Sequence, residues 1–303
     1  MPEAAPWIDL IDPSEDELRE YLPKDIHPTA LRILLAPHVH EDEPRPRIES
    51  HGTYVIGILL VAVVLKKSDR VYYQEVDFVL TPKQMVTVSK TPPNEKPFDP
   101  KPAKEACDPG DPIGMYAYRL VDEVAERYLD LIDDLNDAID ELEDNIEAWR
   151  GPALRTRLSK LRHGLLHIRR TLGPTRDAVH RIIDNRVELD DYELFPREVE
   201  LHFADAYDKL LRATEGLDTS RDLLTGVRDY FQAKISIDQN EVMKRFTVIA
   251  SVLLLPTFIV GLYGQNFRNI PELHWGFGYA WSWAWIIATT IAQVAYFRRK
   301  GWL

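Results

Sequence analysis

The pattern of apolar and polar positions changes along the 303 residues, and its first part predicts strands. Residues 30–36, 53–65, 71–80 and 84–90 form short apolar runs bounded by turn-forming residues, which is typical of strands. Ser14, with Glu17 three residues later, predicts a capped helix start before them. Residues 1–112 are therefore expected to form an α/β domain.

The next part of the chain carries apolar residues at helical spacing. From Ile113 the pattern predicts a long amphipathic helix that ends at Gly151–Pro152 and has a strongly acidic outer face. A second helix, from 153 to about 188, is basic at its start. Within residues 113–195 the two helices either interlock their charges as an antiparallel hairpin or present two separate solvated faces. The apolar positions of the first helix are Leu120, Val124, Tyr128, Leu131, Leu135, Ile139, Leu142 and Ile146.

A third helix begins near Pro196 and meets no strong helix breaker before residue 246, apart from single glycines at Gly216 and Gly226. Fifty helical residues would extend on the order of 75 Å at 1.5 Å per residue. This length is far above that of an ordinary globular helix and predicts a stalk over residues 196–245.

Two uncharged apolar runs follow, residues 246–263 and 275–297, and each is long enough to cross a bilayer. Lys244 and Arg245 precede the first run, and a basic tail, 298–303, follows the second. The positive-inside rule places both outer ends, and hence both termini, in the cytoplasm. Residues 264–274 are then an extracellular loop between two transmembrane helices of the cell membrane.

One seam of the first span is narrow and partly polar. Steps of three and four residues select Asn240, Met243, Thr247, Ala250, Leu254, Thr257 and Gly261. Such a seam either faces the axis of a symmetric bundle or packs closely against another helix. Pro256 within the span is compatible with a helix in a bundle, where neighbours can satisfy the freed carbonyl.

The composition and the motifs of the chain argue against several classes of function. The net charge of −12 argues against nucleic-acid binding, which needs clustered Lys and Arg. No Gly-rich phosphate loop and no nucleophile–base set stands out, so neither nucleotide coupling nor enzyme activity is expected. The single Cys107 excludes a disulfide framework within the chain.

Several motifs together resemble the CorA family of divalent-cation channels. The decisive ones are YGQNF at 263–267 and IPEL at 270–273, and the supporting ones are NEVMK at 240–244, WIDLIDPSEDE at 7–17 and YFRRKGWL at 296–303. The resemblance covers the whole chain in order. It departs from the family at Gln265, where the signature Gly-Met-Asn has Met and where the family's zinc-handling branch also varies.

The resemblance implies a funnel-shaped homopentamer with a cytoplasmic α/β domain, a stalk helix that continues into the first span, and an outer ring of second spans. It implies a selectivity filter at Gly264, Gln265 and Asn266, and Glu272 as a residue of the extracellular loop. The seam residues are then pore-lining, with Met243 and Leu254 as apolar constrictions. Asp205 matches a carboxylate that holds a regulatory cytoplasmic cation between protomers.

The function expected from this resemblance is passive uptake of Mg²⁺, and also of Co²⁺, gated by the cytoplasmic divalent cation. Mg²⁺ is then the transported and regulatory ion, and no cofactor is expected. The expected partners are further copies of the chain, the lipid bilayer and divalent cations. Two alternatives stay open: a ZntB-like transporter of Zn²⁺, Co²⁺ or Ni²⁺ with the same fold, and a non-conducting, membrane-anchored coiled-coil scaffold.

Overall fold

The computed structural model describes residues 6–38, 43–65, 70–149 and 151–302. The chain divides into two compact units, Met1–Arg228 and Asp229–Leu303, and each is described by itself.

The first unit is built on a five-stranded sheet with the strand order β1-β5-β4-β3-β2. β1 runs parallel to β5, and every other neighbouring pair is antiparallel. The strands predicted at 53–65, 71–80 and 84–90 are confirmed as β3, β4 and β5, whereas β1 and β2 were not predicted. The strands are β1 Trp7–Ile11, β2 Arg47–Ser50, β3 Val55–Leu65, β4 Arg70–Leu80 and β5 Met85–Lys90.

The strand predicted at 30–36 is wrong, because residues 30–35 belong to the helix α2, Pro28–Leu35, and Ala36 is its C-cap. Pro28 occupies the first helical position, and the His27 ring accepts a hydrogen bond from the backbone N–H of Thr29 as the N-cap. The side chains of Leu31 and Leu34 are buried on one helical face. An apolar run of this length fits a strand or a helix, and only the cap distinguishes them.

The capping box predicted at Ser14 is confirmed at the start of α1, Glu15–Tyr21. α1 and α2 pack on one face of the sheet around a cluster that includes Leu18, Ile56 and Val79. A short helix α3, Lys101–Glu105, follows β5. α4, Ile113–Asp144, lies on the opposite face, where the ring of Tyr116 meets Trp7 edge-on at 6.2 Å.

α4 confirms the predicted amphipathic helix, since its eight predicted apolar positions are all buried, with Ile146 just beyond its end. The end predicted at Gly151–Pro152 is wrong. α4 stops at Asp144, and Gly151 instead begins α5, Gly151–Ile183. Pro152 is tolerated there because the first turn of a helix has no use for its missing N–H.

The two helices share a charge contact, since Arg157 of α5 pairs with Glu141 of α4 at 2.5 Å. Another basic residue of α5, Arg169, instead faces Asp218 at 3.7 Å. The chain turns after α5 at Asn185, which has a positive φ of 55°. Asn is one of the few residues that accept this left-handed conformation at a helix end.

The third predicted helix is confirmed as α6, Arg197–Tyr263, a continuous helix of 67 residues. Within the first unit α6 buries apolar residues at steps of three and four, among them Phe203, Leu210 and Leu217. Lys209 joins it to α4, because its Nζ lies 2.6 Å from Asp122 and 2.5 Å from Glu126. These two carboxylates raise the pKa of Lys209 against the opposing effect of burial. The chain thus forms an α/β part, which contains the sheet and the helices α1 to α5, followed by the long helix α6.

The second unit contains the rest of α6, a 3₁₀ turn at Pro271–His274 and the last helix, α7, Gly278–Arg299. Among the described residues, α6 is the one helix that is long and apolar enough to cross a membrane. Only 6 % of its apolar stretch is buried, unlike the core helix of a soluble protein, which is mostly buried. α7 does not reach the same apolarity because of its Trp, Tyr and Thr residues, so its membrane crossing stays a prediction.

Candidate functional site

The predicted seam of α6 lies on one exposed face of the helix in the second unit. Asn240, Met243, Thr247, Ala250, Leu254, Thr257 and Gly261 are all exposed, with Met243 at 59 % and Leu254 at 71 %. Large apolar side chains left this exposed on a folded chain indicate a surface that something else covers.

The opposite face of α6 is the one that meets α7. Gln293 of α7 donates a hydrogen bond from its Nε2 to the backbone carbonyl of Ser251, at 3.1 Å. Val248, one turn before Ser251, is buried, and Val252, Leu255 and Ile259 on the same side are half-buried. At 3.6 residues per turn this side and the seam lie on nearly opposite faces of the helix. The seam is therefore left open by the chain's own second apolar helix.

The two threonines of the seam satisfy their hydroxyl hydrogens within α6. Thr247 Oγ1 donates to the carbonyl of Met243 at 2.8 Å, and Thr257 Oγ1 donates to that of Leu253 at 2.7 Å. Each hydroxyl oxygen keeps lone pairs that can accept from water. The seam thus offers weak acceptors without introducing a charge into an apolar helix.

The predicted filter residues follow directly after α6. The N–H of Gly264 donates to the carbonyl of Val260 at 2.9 Å, which closes the last turn. Gln265 and Glu272 both line a cavity of about 420 Å³, together with residues 262–263 and 267–271. Asn266 does not line this cavity and is exposed. Gln265 and Asn266 are both exposed, and of the two Gln265 alone lines the cavity.

Asp205, the predicted regulatory carboxylate, is an exposed residue of α6 in the first unit. It lies near Tyr118 of α4, whose pKa is raised mainly by burial and further by the negative charges of Asp122 and Asp205. Among the residues that the structure describes, no group of three or more His, Cys, Asp or Glu side chains could hold a metal ion. A regulatory site at Asp205 stays a prediction that needs ligands from another protomer.

Nearly the whole chain matches one known protein family. The family described as CorA-like Mg²⁺ transporter protein matches residues 3–299. The chain belongs to this family. It is therefore a member of a family of divalent-cation transporters, and this agrees with the absence of any enzyme signature in its sequence.

This CorA-family chain is similar to one curated relative and to two solved structures, among others. It is 29 % identical over 282 residues to the cobalt/magnesium transport protein CorA of Thermotoga maritima, with 92 % of this chain and 77 % of the relative covered. The structure of the CorA magnesium transporter from Methanocaldococcus jannaschii matches with a TM-score of 0.78 at 22 % identity, covering 98 % of this chain and 91 % of that one. The cytoplasmic domain of ZntB from Vibrio parahaemolyticus matches with a TM-score of 0.57 at 13 % identity, covering 76 % and 87 %. The two structural matches show the fold alone.

Sequence reasoning missed two polar sites of this CorA-family chain. The first is Gln293, the amide that joins α7 to α6. Its position within an uncharged apolar run is the signal of such a contact, since polar residues in such runs usually have a partner. The second is a buried cluster in the sheet, where Lys90 contacts Glu75 and Asp77. Charged residues inside the strand patterns of residues 71–80 and 84–90 were its sign.

Proposed function

We propose that this CorA-family protein is a passive divalent-cation channel of the cell membrane, with Mg²⁺ as its main cargo and Co²⁺ as a second. The observation that carries the proposal is the seam of α6, which is narrow, polar or small at most positions, and turned away from α7. Two helices cannot enclose a water-filled path, so several copies must surround one axis. The family resemblance supports five, with α6 inside and α7 outside.

The chemistry of the seam suits a hydrated ion. Mg²⁺ loses its water reluctantly and is usually bound with several waters retained. The oxygens of Thr247 and Thr257 can accept hydrogen bonds from those waters without removing them. Rings of Met243 and Leu254 are apolar, and apolar constrictions close a pore by excluding water.

The loop after α6 supplies the mouth of the pore in this proposal. A ring of Asn266 side chains would present neutral amide oxygens to the hydrated ion. Gln265, which is exposed beside Asn266 and lines the loop's own cavity, would add a second amide to this mouth. Glu272 on the same cavity adds a negative charge close to the mouth.

The topology of the proposal has α7 as the second transmembrane helix. Its N-terminal part is rich in exposed aromatic residues, including Trp281 and Trp285, which contact each other edge-on at 6.0 Å. Trp and Tyr are enriched where a helix meets the membrane–water interface. Arg298 and Arg299 at its other end would lie in the cytoplasm with both termini.

Direction and control of the flux follow from the membrane potential and the cytoplasmic domain. A divalent cation gains roughly 4.6 kcal/mol on crossing a potential of about 100 mV, negative inside, so uptake needs no other energy source. Mg²⁺ bound at Asp205 between protomers would hold the pore closed. Loss of that Mg²⁺ would let the α6 helices move and the apolar rings become wet.

The test of this function is Mg²⁺ entry into liposomes that contain the purified full chain and an indicator dye. We expect entry driven by a negative internal potential and a severe loss in the Asn266→Ala variant. Asn269→Ala is the matched control, because Asn269 is an amide of the same loop that lines the cavity with Gln265. Equal entry in wild type and Asn266→Ala would refute the filter assignment, and no entry in wild type would favour the scaffold.

The nearest alternative is a Zn²⁺, Co²⁺ or Ni²⁺ transporter of the same fold. Gln265 in place of Met favours keeping it, because this position also varies in the zinc-handling branch of the family that the chain resembles. Competition in the same liposomes separates the two cases. If Zn²⁺ enters faster than Mg²⁺ at equal concentration, or entry depends on a proton gradient, the Mg²⁺ assignment is wrong.

A further inference from the structure

Gln293 makes a side-chain contact between the two apolar helices that is unusual in its chemistry. Its amide Nε2 donates to the carbonyl of Ser251, which is already part of the helical ladder of α6. Phe297, one turn further along α7, is buried, as is Val248, three residues before Ser251. The hydrogen bond therefore lies on the partly buried side of both helices.

The position of this contact on α6 coincides with a weak turn. Pro256 lies inside the helix and has no N–H, so the carbonyl of Val252 has no helical donor. The two neighbouring carbonyls each receive an additional side-chain donor. Gln293 donates to the carbonyl of Ser251, and Thr257 Oγ1 donates to that of Leu253 at 2.7 Å. Side-chain donors thus bind the carbonyls on either side of the Val252 carbonyl, which lacks a helical hydrogen-bond donor because of Pro256.

Packing between two helices in lipid does not explain a glutamine at position 293. Its Oε1 is buried and has no hydrogen-bond partner among the residues that the structure describes. A polar group without a partner is unfavourable in hydrocarbon, and a Leu or Met side chain would fill the same volume without it. The amide is therefore better explained by what its Nε2 does for α6 than by packing.

We propose that Gln293 is a positioning residue that holds α6 in shape at the Pro256 turn. The turn carries Leu254 and Thr257, so its shape sets how an apolar constriction and a polar ring of the seam face the pore. The link to transport rests on the proposed function, whereas the effect on the helix does not. Without the bond from Gln293, the parts of α6 before and after Pro256 bend more freely relative to each other.

The experiment compares backbone hydrogen exchange of residues 253–260 in the full chain, reconstituted in lipid nanodiscs. Interhelical side-chain hydrogen bonds in membranes average about 0.6 kcal/mol, so Gln293→Leu should speed exchange roughly threefold and no more than about twentyfold. Thr290→Val is the matched control. Thr290 is a half-buried polar residue of α7, but its hydroxyl donates to Ile286 of its own helix at 2.7 Å.

A proline-free background makes the test specific. Pro256→Ala restores an N–H for the carbonyl of Val252, so the additional effect of Gln293→Leu should shrink toward none. Unchanged exchange in Gln293→Leu, or an equal increase with Ala at 256, overturns the proposal. Gln293→Leu also removes the buried Oε1, so the variant should fold. Should it fail to fold, Gln293→Asn, whose shorter side chain cannot keep the same reach, replaces it.

Flux in liposomes then tests the link to transport. We expect Gln293→Leu to raise the residual Mg²⁺ entry at saturating internal Mg²⁺, with the preference for Mg²⁺ over Zn²⁺ unchanged. Faster exchange without any change in residual entry would overturn the link. If the wild type conducts no cation, the proposed function fails, and hydrogen exchange still decides the positioning role.

Discussion

Replacing Lys90 by Met would remove the single ammonium group from a buried cluster of the sheet. Lys90 Nζ lies 2.5 Å from Glu75 Oε1 and 3.0 Å from Asp77 Oδ2, and all three side chains are at most 3 % exposed. The same Nζ donates to the carbonyl of Ile33 at 2.8 Å, which ties the end of α2 to the sheet. The Met variant would leave two buried carboxyl groups without the ammonium that contacts both of them.

The magnitude follows from burial of the pair. Removing one partner of a buried ion pair typically costs about 3–5 kcal/mol, because the remaining charge is left uncompensated. Asp77 already lacks compensation, since burial raises its pKa to about 7 despite the opposing charge of Lys90. The negative charge of Glu75 raises the pKa of Asp77 further. The loss in Lys90→Met should therefore grow with pH, because protonated carboxyls need no cation.

The assay is hydrogen exchange of a peptide covering β4, measured on the full chain and corrected for the intrinsic pH dependence of exchange. A loss of about 3–5 kcal/mol corresponds to exchange faster by roughly a hundredfold to a few thousandfold. Lys101→Met is the matched control. Lys101 is 73 % exposed and pairs with Glu105 at 3.6 Å, a surface contact worth about 0–1 kcal/mol.

Two results would refute this reasoning. One is a loss in Lys90→Met no larger than in Lys101→Met, and the other is a loss that does not change between acidic and neutral pH. Replacing the whole cluster by apolar residues, with Glu75→Met and Asp77→Leu added to Lys90→Met, should recover most of the stability.

Three further outcomes are expected. The pKa of the Asp77 carboxyl is about 7 in the folded chain, above its ordinary value of 3.8. Its contribution to the free energy of unfolding is therefore largest at low pH and declines as the pH rises from about 4 to 7. Asp77→Asn should abolish this decline, as measured by urea unfolding across the same pH range. Gly114→Ala should destabilise the first unit by about 1–3 kcal/mol, because a Cβ would overlap the carbonyl oxygen of Leu194, whereas Gly226→Ala, in helix α6 with open space around it, should stabilise by about 0.5–1 kcal/mol; thermal unfolding of both variants checks this. Asp205→Asn should raise the internal Mg²⁺ concentration needed to stop Mg²⁺ entry, and an unchanged dependence would exclude Asp205 as the regulatory ligand.

Much of the fold followed from periodicity. The apolar positions of α4 and the uninterrupted course of α6 were correct because a long amphipathic pattern leaves few alternatives. Short segments were less determinate. Residues 30–36 were predicted as a strand and form α2, because seven apolar-rich residues fit either state until a cap such as His27 decides. The join between α4 and α5 was misplaced because Gly and Pro both end and begin helices.

The sequence by itself determined the family, the long helix and the loop motif, because these depend on local pattern and on the order of residues. Tertiary structure alone decided which face of α6 meets α7, since the seam was equally compatible with a pore and with helix packing. The contacts of Gln293 with Ser251 and of Lys90 with Glu75 and Asp77 were likewise decided by the tertiary structure. These partners lie 42, 15 and 13 positions apart along the chain and meet only after folding.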